Sequence, residues 1–295
     1  MLNLLGLRQN LKIIQVLSKS YCTEQDLINY QGLKKGYKNF LREIQPDVPH
    51  SKTNEINFVE SNELTRSFVS IFGSKSLLDD VDYDLGNSQI ESNYKKNFAL
   101  KKTRSAMIEL GEKYESFKWL FNLAMDSVFY APSQMAKGGT TSDAVGVLWV
   151  NPSDNWNKID YYELLIHELC HTMIFLYEWQ CGIFSNKNRL TDSETFAMSA
   201  IRGKRRPLDK AYHSAIVATE ILMFRKNIIR DEVQHVLHPE THELISMTLV
   251  SLKSVKNIGI EKKMLNERAI EMLDICLSKL KLMEGEISHV HSHQK

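Results

Sequence analysis

Along the first third of the chain, apolar residues return at three- and four-residue spacing. Leu4, Leu5, Ile13, Ile14 and Leu17 form one stripe, and the rhythm continues from 23 to 45. Both stretches, 3–20 and 23–45, are predicted helices. Pro46 and Pro49 interrupt the pattern, and another helix is expected over 54–72. The acidic, turn-rich stretch from Asp79 to Asn87 reads as a loop. A long helical pattern then runs from 98 to 129 and ends before Pro132. Within it Tyr114, Phe117, Phe121, Met125 and Val128 make a core stripe, with Trp119 off it.

After Pro132 the rhythm changes. Residues 144–150, Ala-Val-Gly-Val-Leu-Trp-Val, are bounded by turn residues and Pro152 and form the clearest strand candidate. A helix follows over 160–180, with Asp160 and Glu163 as its expected cap pair. Residues 183–203 are irregular, with room for short strands. Helices resume over 208–229, 240–257 and 261–284. This order predicts a mainly helical α+β protein with a small sheet. A helical N-terminal region, 1–131, packs on a core at 132–285, and a flexible tail covers 286–295.

Composition excludes more than it selects. The 37 Lys+Arg balance 36 Asp+Glu to a net +1, so no basic footprint for nucleic acid is present. No apolar run is long enough to span a bilayer. Cys22, Cys170, Cys181 and Cys276 form no CxxC pair, which fits a reducing, cytoplasmic setting. Arg8, Lys12 and Lys19 precede no signal-type apolar segment, so the start of the chain reads as an amphipathic helix.

One pattern carries chemistry. His167-Glu168-Leu169-Cys170-His171 places two imidazoles one helical turn apart on the same face, able to meet one metal ion. The helix around it is strongly apolar: Leu164, Leu165, Ile166, Leu169, Met173, Ile174 and Phe175. Unpaired polar groups buried there would cost several kcal/mol, on the order of 2–7 each, and a metal removes that cost. A third ligand is required. The metzincin continuation is absent, because Ile174 and Tyr177 stand where its glycine and third histidine belong. His213, on the helix after Pro207, is the preferred third ligand, with Glu194 or Glu220 as alternatives. His235, His238 and His242, near Pro239, read as a solvated inter-helix segment.

The stretches Gly146 to Pro152 and Leu164 to His171 resemble the core of the HExxH-motif peptide-modification proteins. The run Arg206-Pro207-Leu208-Asp209-Lys210-Ala211-Tyr212-His213 is similar to that family's second block. The resemblance covers about residues 140–230. It implies a zincin-like metal core, with the 144–150 strand along the upper edge of the site and the metal between the 160–180 and 208–228 helices. It also implies an iron(II)- and 2-oxoglutarate-dependent β-hydroxylase acting on a peptide or protein substrate.

In that reading His167, His171 and His213 hold iron, and Arg206 binds the distal carboxylate of 2-oxoglutarate. Arg202 and Arg205 are solvated, and Glu168 is not a base. In the alternative, a zinc metallopeptidase, Glu168 is the general base, and Tyr212 or His213 donates to the oxyanion. A third possibility is a non-catalytic peptide-binding protein with a structural metal. The oligomeric state is left open.

Overall fold

The computed structural model describes residues 1–73, 93–229 and 236–292, with side chains to 283. The expected loop at 79–87 and His235 lie outside them. The described chain is mainly helical with a small sheet. Helices α1 (Leu2–Ser18), α2 (Glu24–Leu27), α3 (Tyr30–Ile44) and α4 (Asn62–Phe72) lead to α5 (Asn93–Lys113) and α6 (Glu115–Ala124). The helix that carries the HExxH pattern is α7 (Lys158–Cys181). It is followed by α8 (Leu208–Phe224), α9 (Thr241–Glu261) and α10 (Glu267–Ser292). The strands are β1 (Asn57–Phe58), β2 (Ser127–Tyr130), β3 (Gly138–Gly139), β4 (Val147–Val150), β5 (Ala197–Met198) and β6 (Arg205–Arg206). No helix among the described residues is long and apolar enough to cross a membrane.

Several expected elements resolve differently. The 54–72 helix is a short strand followed by α4, which the Ser61 side chain caps by accepting from Leu64 N–H. The 98–129 helix divides at Tyr114 and ends at Ala124, and Ser127–Tyr130 becomes β2. Helical spacing concealed that strand because both of its faces are buried, so no polar alternation marks it. The backbone of α10 stays helical through Ser292, so the segment expected to be a flexible tail from 286 is helical up to that residue.

The four-stranded sheet has the order β1-β2-β4-β3, with β1, β2 and β4 parallel and β3 antiparallel to β4. The predicted strand at 144–150 is therefore an interior strand, and the edge belongs to β3. Strand alternation sorts the side chains. Val128, Tyr130, Leu148 and Val150 join the main core with α5 and α7, while Phe129, Val147 and Trp149 join Phe68 and Phe72 of α4. Phe129 lies 5.2 Å from both of those rings, stacked on Phe68 and edge-on to Phe72. The main core draws on α1, α3, α5 and α6 as well as α7 to α10, so the N-terminal helices and the motif helix share one interior. β1 and β2, from the N-terminal region, supply two of the four strands.

β3 also lies close on α7. A Cβ added at Gly138 would sit 2.7 Å from Leu164 Cδ1 and 3.1 Å from the Trp149 carbonyl. A larger residue there would have to displace the Leu164 side chain, so glycine favours this close approach of β3 to the motif helix.

Candidate functional site

Helix α7 begins with a capping box between Asn157 and Asp160, not the expected Asp160–Glu163 pair. The Asn157 side chain accepts from the N–H groups of Ile159 and Asp160, and Asp160 accepts from Asn157 N–H. Residues 160–166 and 168–176 are all buried, so α7 crosses the centre of the protein. A helix apolar all round needs no amphipathic stripe to be stable there, because neighbours cover every face. Gly182, at φ 64°, ends it.

His167 and His171 lie on one face of α7 as predicted, with their Nε2 atoms 3.2 Å apart. His213 of α8 meets His171 Nδ1 to Nδ1 at 3.0 Å, with rings stacked at 5.3 Å. Phe175 closes the apolar side, 6.3 Å from the His171 ring and 5.1 Å from His213. The structure thus joins all three sequence-predicted histidines. His171 and His213 are buried, and His167 is the partly exposed member.

Burial, reinforced by the neighbouring His171, holds the His167 and His213 imidazoles well below the usual histidine pKa. These two rings are therefore neutral near pH 7, as metal ligation requires.

The fit to one metal ion is close for the first pair. Donors at 2.0–2.1 Å from a metal stand roughly 3 Å apart, which matches the His167–His171 spacing. His213 approaches the other nitrogen of His171. Among the described residues no three metal-ligating side chains converge on one point. A common site therefore needs the His171 or the His213 ring to turn about its side-chain torsions.

Neither carboxylate alternative stands at the cluster. Glu194 is exposed and paired with Arg189 and Lys262. Glu220 is buried, and its oxygens accept from Asn3 N–H at 2.6 Å, Asn3 Nδ2 at 3.0 Å and Leu4 N–H at 3.1 Å. It fastens α1 to α8. Glu168, adjacent to His167, is also buried. One of its oxygens accepts from Thr140 Oγ1 at 3.0 Å, and the other lies 3.9 Å from His167 Nε2. Thr140 immediately follows β3, so the close approach of that strand delivers the hydroxyl.

The arginine run divides. Arg205 donates to the Phe196 carbonyl, and Arg206 is half-buried in β6, its backbone paired with Ala197. Arg202 is the member whose positive charge acts on His167. Tyr212 points elsewhere: it is fully buried and its hydroxyl donates to the Ala269 carbonyl.

His238 departs from the solvated segment expected near Pro239. It is not solvated but 5% exposed, and it stacks on His167 with Nε2 2.9 Å from His167 Nδ1. Its Nδ1 lies 2.8 Å from Glu163, which Arg225 grips at 2.6 and 3.0 Å. Glu163, His167 and His171 follow at four-residue intervals, one face of α7, and that spacing was the available signal for Glu163. Nothing local marks His238, because its place depends on the path of the chain between α8 and α9. His242 is exposed at the start of α9.

No family model and no curated protein matches the chain.

Proposed function

We propose that this chain is a metal-dependent enzyme that modifies a peptide or protein substrate. His167, His171 and His213 are its metal ligands, and iron(II)/2-oxoglutarate-dependent hydroxylation of a peptide side chain is its reaction. The observation that carries the reading is the buried contact between His171 and His213, which joins the HExxH pair to an imidazole on a second helix. Three neutral donors leave the charge of a divalent ion to be balanced by a dianionic cosubstrate. Glu194 and Glu220, engaged elsewhere, support that donor set over one with a carboxylate.

Bound iron(II) would supply dioxygen activation, with 2-oxoglutarate as the reductant. The residues of the chain do the rest. The imidazoles of His167, His171 and His213 would be the groups that hold the ion. Phe175 shields their apolar side from water. Arg206, half-buried in β6 just before α8, is the candidate to hold the distal carboxylate. The small sheet with an antiparallel edge strand beside the motif helix supports a zincin-like core.

The test is anaerobic reconstitution with iron(II), addition of 2-oxoglutarate and a peptide library, and measurement of succinate together with a 16 Da mass gain on peptide (about one oxygen atom). Succinate coupled to that gain is the expected result. Zinc-supported cleavage without succinate would overturn it.

A specific observation favours zinc peptidase chemistry as the second reading: a Glu168 oxygen lies 3.9 Å from His167 Nε2, so the carboxylate stands beside the first ligand of the pair. In that reading Glu168 takes the proton of the attacking water, and Tyr212, turned toward Ala269, has no part.

A further inference from the structure

The side chains behind His167 form a chain of their own. Glu163 is fully buried, and both of its oxygens accept from Arg225. A buried carboxylate gripped by a guanidinium stays ionised and can only accept hydrogen bonds. The nitrogen 2.8 Å from it, His238 Nδ1, therefore carries a proton. The other nitrogen of His238 faces His167 Nδ1 at 2.9 Å. One proton lies between them. If it belongs to His167 Nδ1, the lone pair of His167 is on Nε2, the atom facing His171.

We propose that His238, held by Glu163 and Arg225, is a positioning residue that fixes the tautomer of His167 and aims its Nε2 lone pair at the metal. The proposal rests on the metal-enzyme reading and adds residues outside the HExxH pattern to its machinery.

The backbone around His238 is fastened on both sides. Asp160 accepts from the N–H groups of Val236 and Leu237, each at 2.9 Å. Arg225 Nη1 donates to the Pro239 carbonyl at 2.8 Å and to Thr241 Oγ1 at 3.2 Å. Two acids in the first turns of α7, Asp160 and Glu163, thus hold the segment that supports a ligand farther along the same helix. The Arg225–Glu163 pair would join α7 to α8 without any histidine. Interposing His238 between Glu163 and His167 adds no packing need, but it does supply an acceptor to His167 Nδ1. A ligand whose outer nitrogen is held in this way is a stronger and better-oriented donor, and losing such a partner costs about 10–100-fold in metal affinity.

The experiment titrates the full chain and its His238→Leu and His238→Gln variants with cobalt(II) against a chromophoric chelator. The melting temperature of each metal-free protein is measured alongside. Leucine fills the volume without an acceptor, and the glutamine Oε1 reaches the place of His238 Nε2. We expect about 10–100-fold weaker cobalt binding for His238→Leu and recovery to within roughly threefold for His238→Gln. Equal affinities in parent and His238→Leu would overturn the positioning role while leaving the metal site standing. So would affinities that fall in step with the melting temperatures of both variants. A parent chain that binds no cobalt overturns the metal reading and this proposal with it. Should His238→Leu fail to fold, His238→Asn, whose amide stops short of His167, replaces it with the same expectation.

Discussion

His171 and His213, 42 residues apart in the chain, meet Nδ1 to Nδ1 at 3.0 Å in the buried crossing of α7 and α8. The contact makes His213 the natural extension of the HExxH pair. Replacing it with alanine is expected to weaken cobalt(II) binding by more than about 100-fold, beyond what loss of an outer partner costs. Glu194→Gln is expected to leave affinity unchanged, since Glu194 is a surface partner of Arg189 and Lys262. Chelator competition on both variants checks the assignment, and the reverse ranking would refute it.

Glu168 separates the two chemistries. Its glutamine variant keeps an acceptor for Thr140 but cannot take a proton. Peptide hydrolysis should fall by about 10²–10⁴, the usual worth of a general base. Oxygenase turnover should stay within about tenfold of parent, read as succinate per metal bound.

Glu220 stabilises the fold. Glu220→Ala leaves the N–H groups of Asn3 and Leu4 without their buried acceptor. At about 1–3 kcal/mol for each of these two groups, a loss of roughly 2–6 kcal/mol in unfolding free energy is expected. Cobalt affinity of the folded fraction should match parent. Urea unfolding and metal titration on the same preparation measure the two independently.

Lys34 gives a pH dependence with a definite sign. Burial lowers it from 10.5 to about 7, partly offset by Asp126. Its Nζ donates to the carbonyls of Asn122, Leu123 and Met125 around the end of α6. Between about pH 7 and 10.5 the unfolded chain holds a proton that folded Lys34 has lost, so this group raises stability as pH rises through that window. Lys34→Met should be less stable, because three carbonyls lose their donor, and its stability should rise less steeply between pH 7 and 10. Parallel unfolding curves for parent and variant across that range would rule out the shift.

How legible the site was varies residue by residue. His167 and His171 could be read directly, because four-residue spacing on a helix fixes a shared face whatever surrounds it. His213 could be placed only by supposing that two helices cross, and they do. His238 looked like part of a polar linker because it lies beside Pro239, and composition near a proline suggests solvent. β2 was read as helix, since its fully buried residues show no alternation.

The sequence by itself determined the helical character, the apolar motif helix and the paired imidazoles on it. These follow from periodicity and spacing within one segment. Tertiary structure decided everything that joins segments. It paired the 144–150 strand between β2 and β3 and seated Thr140 on Glu168. It turned Glu220 to α1 and Tyr212 to Ala269. It also carried His238 from a distant connection to the back of His167. Each of these depends on where the chain returns after a turn, and that is set by the summed packing of the whole core.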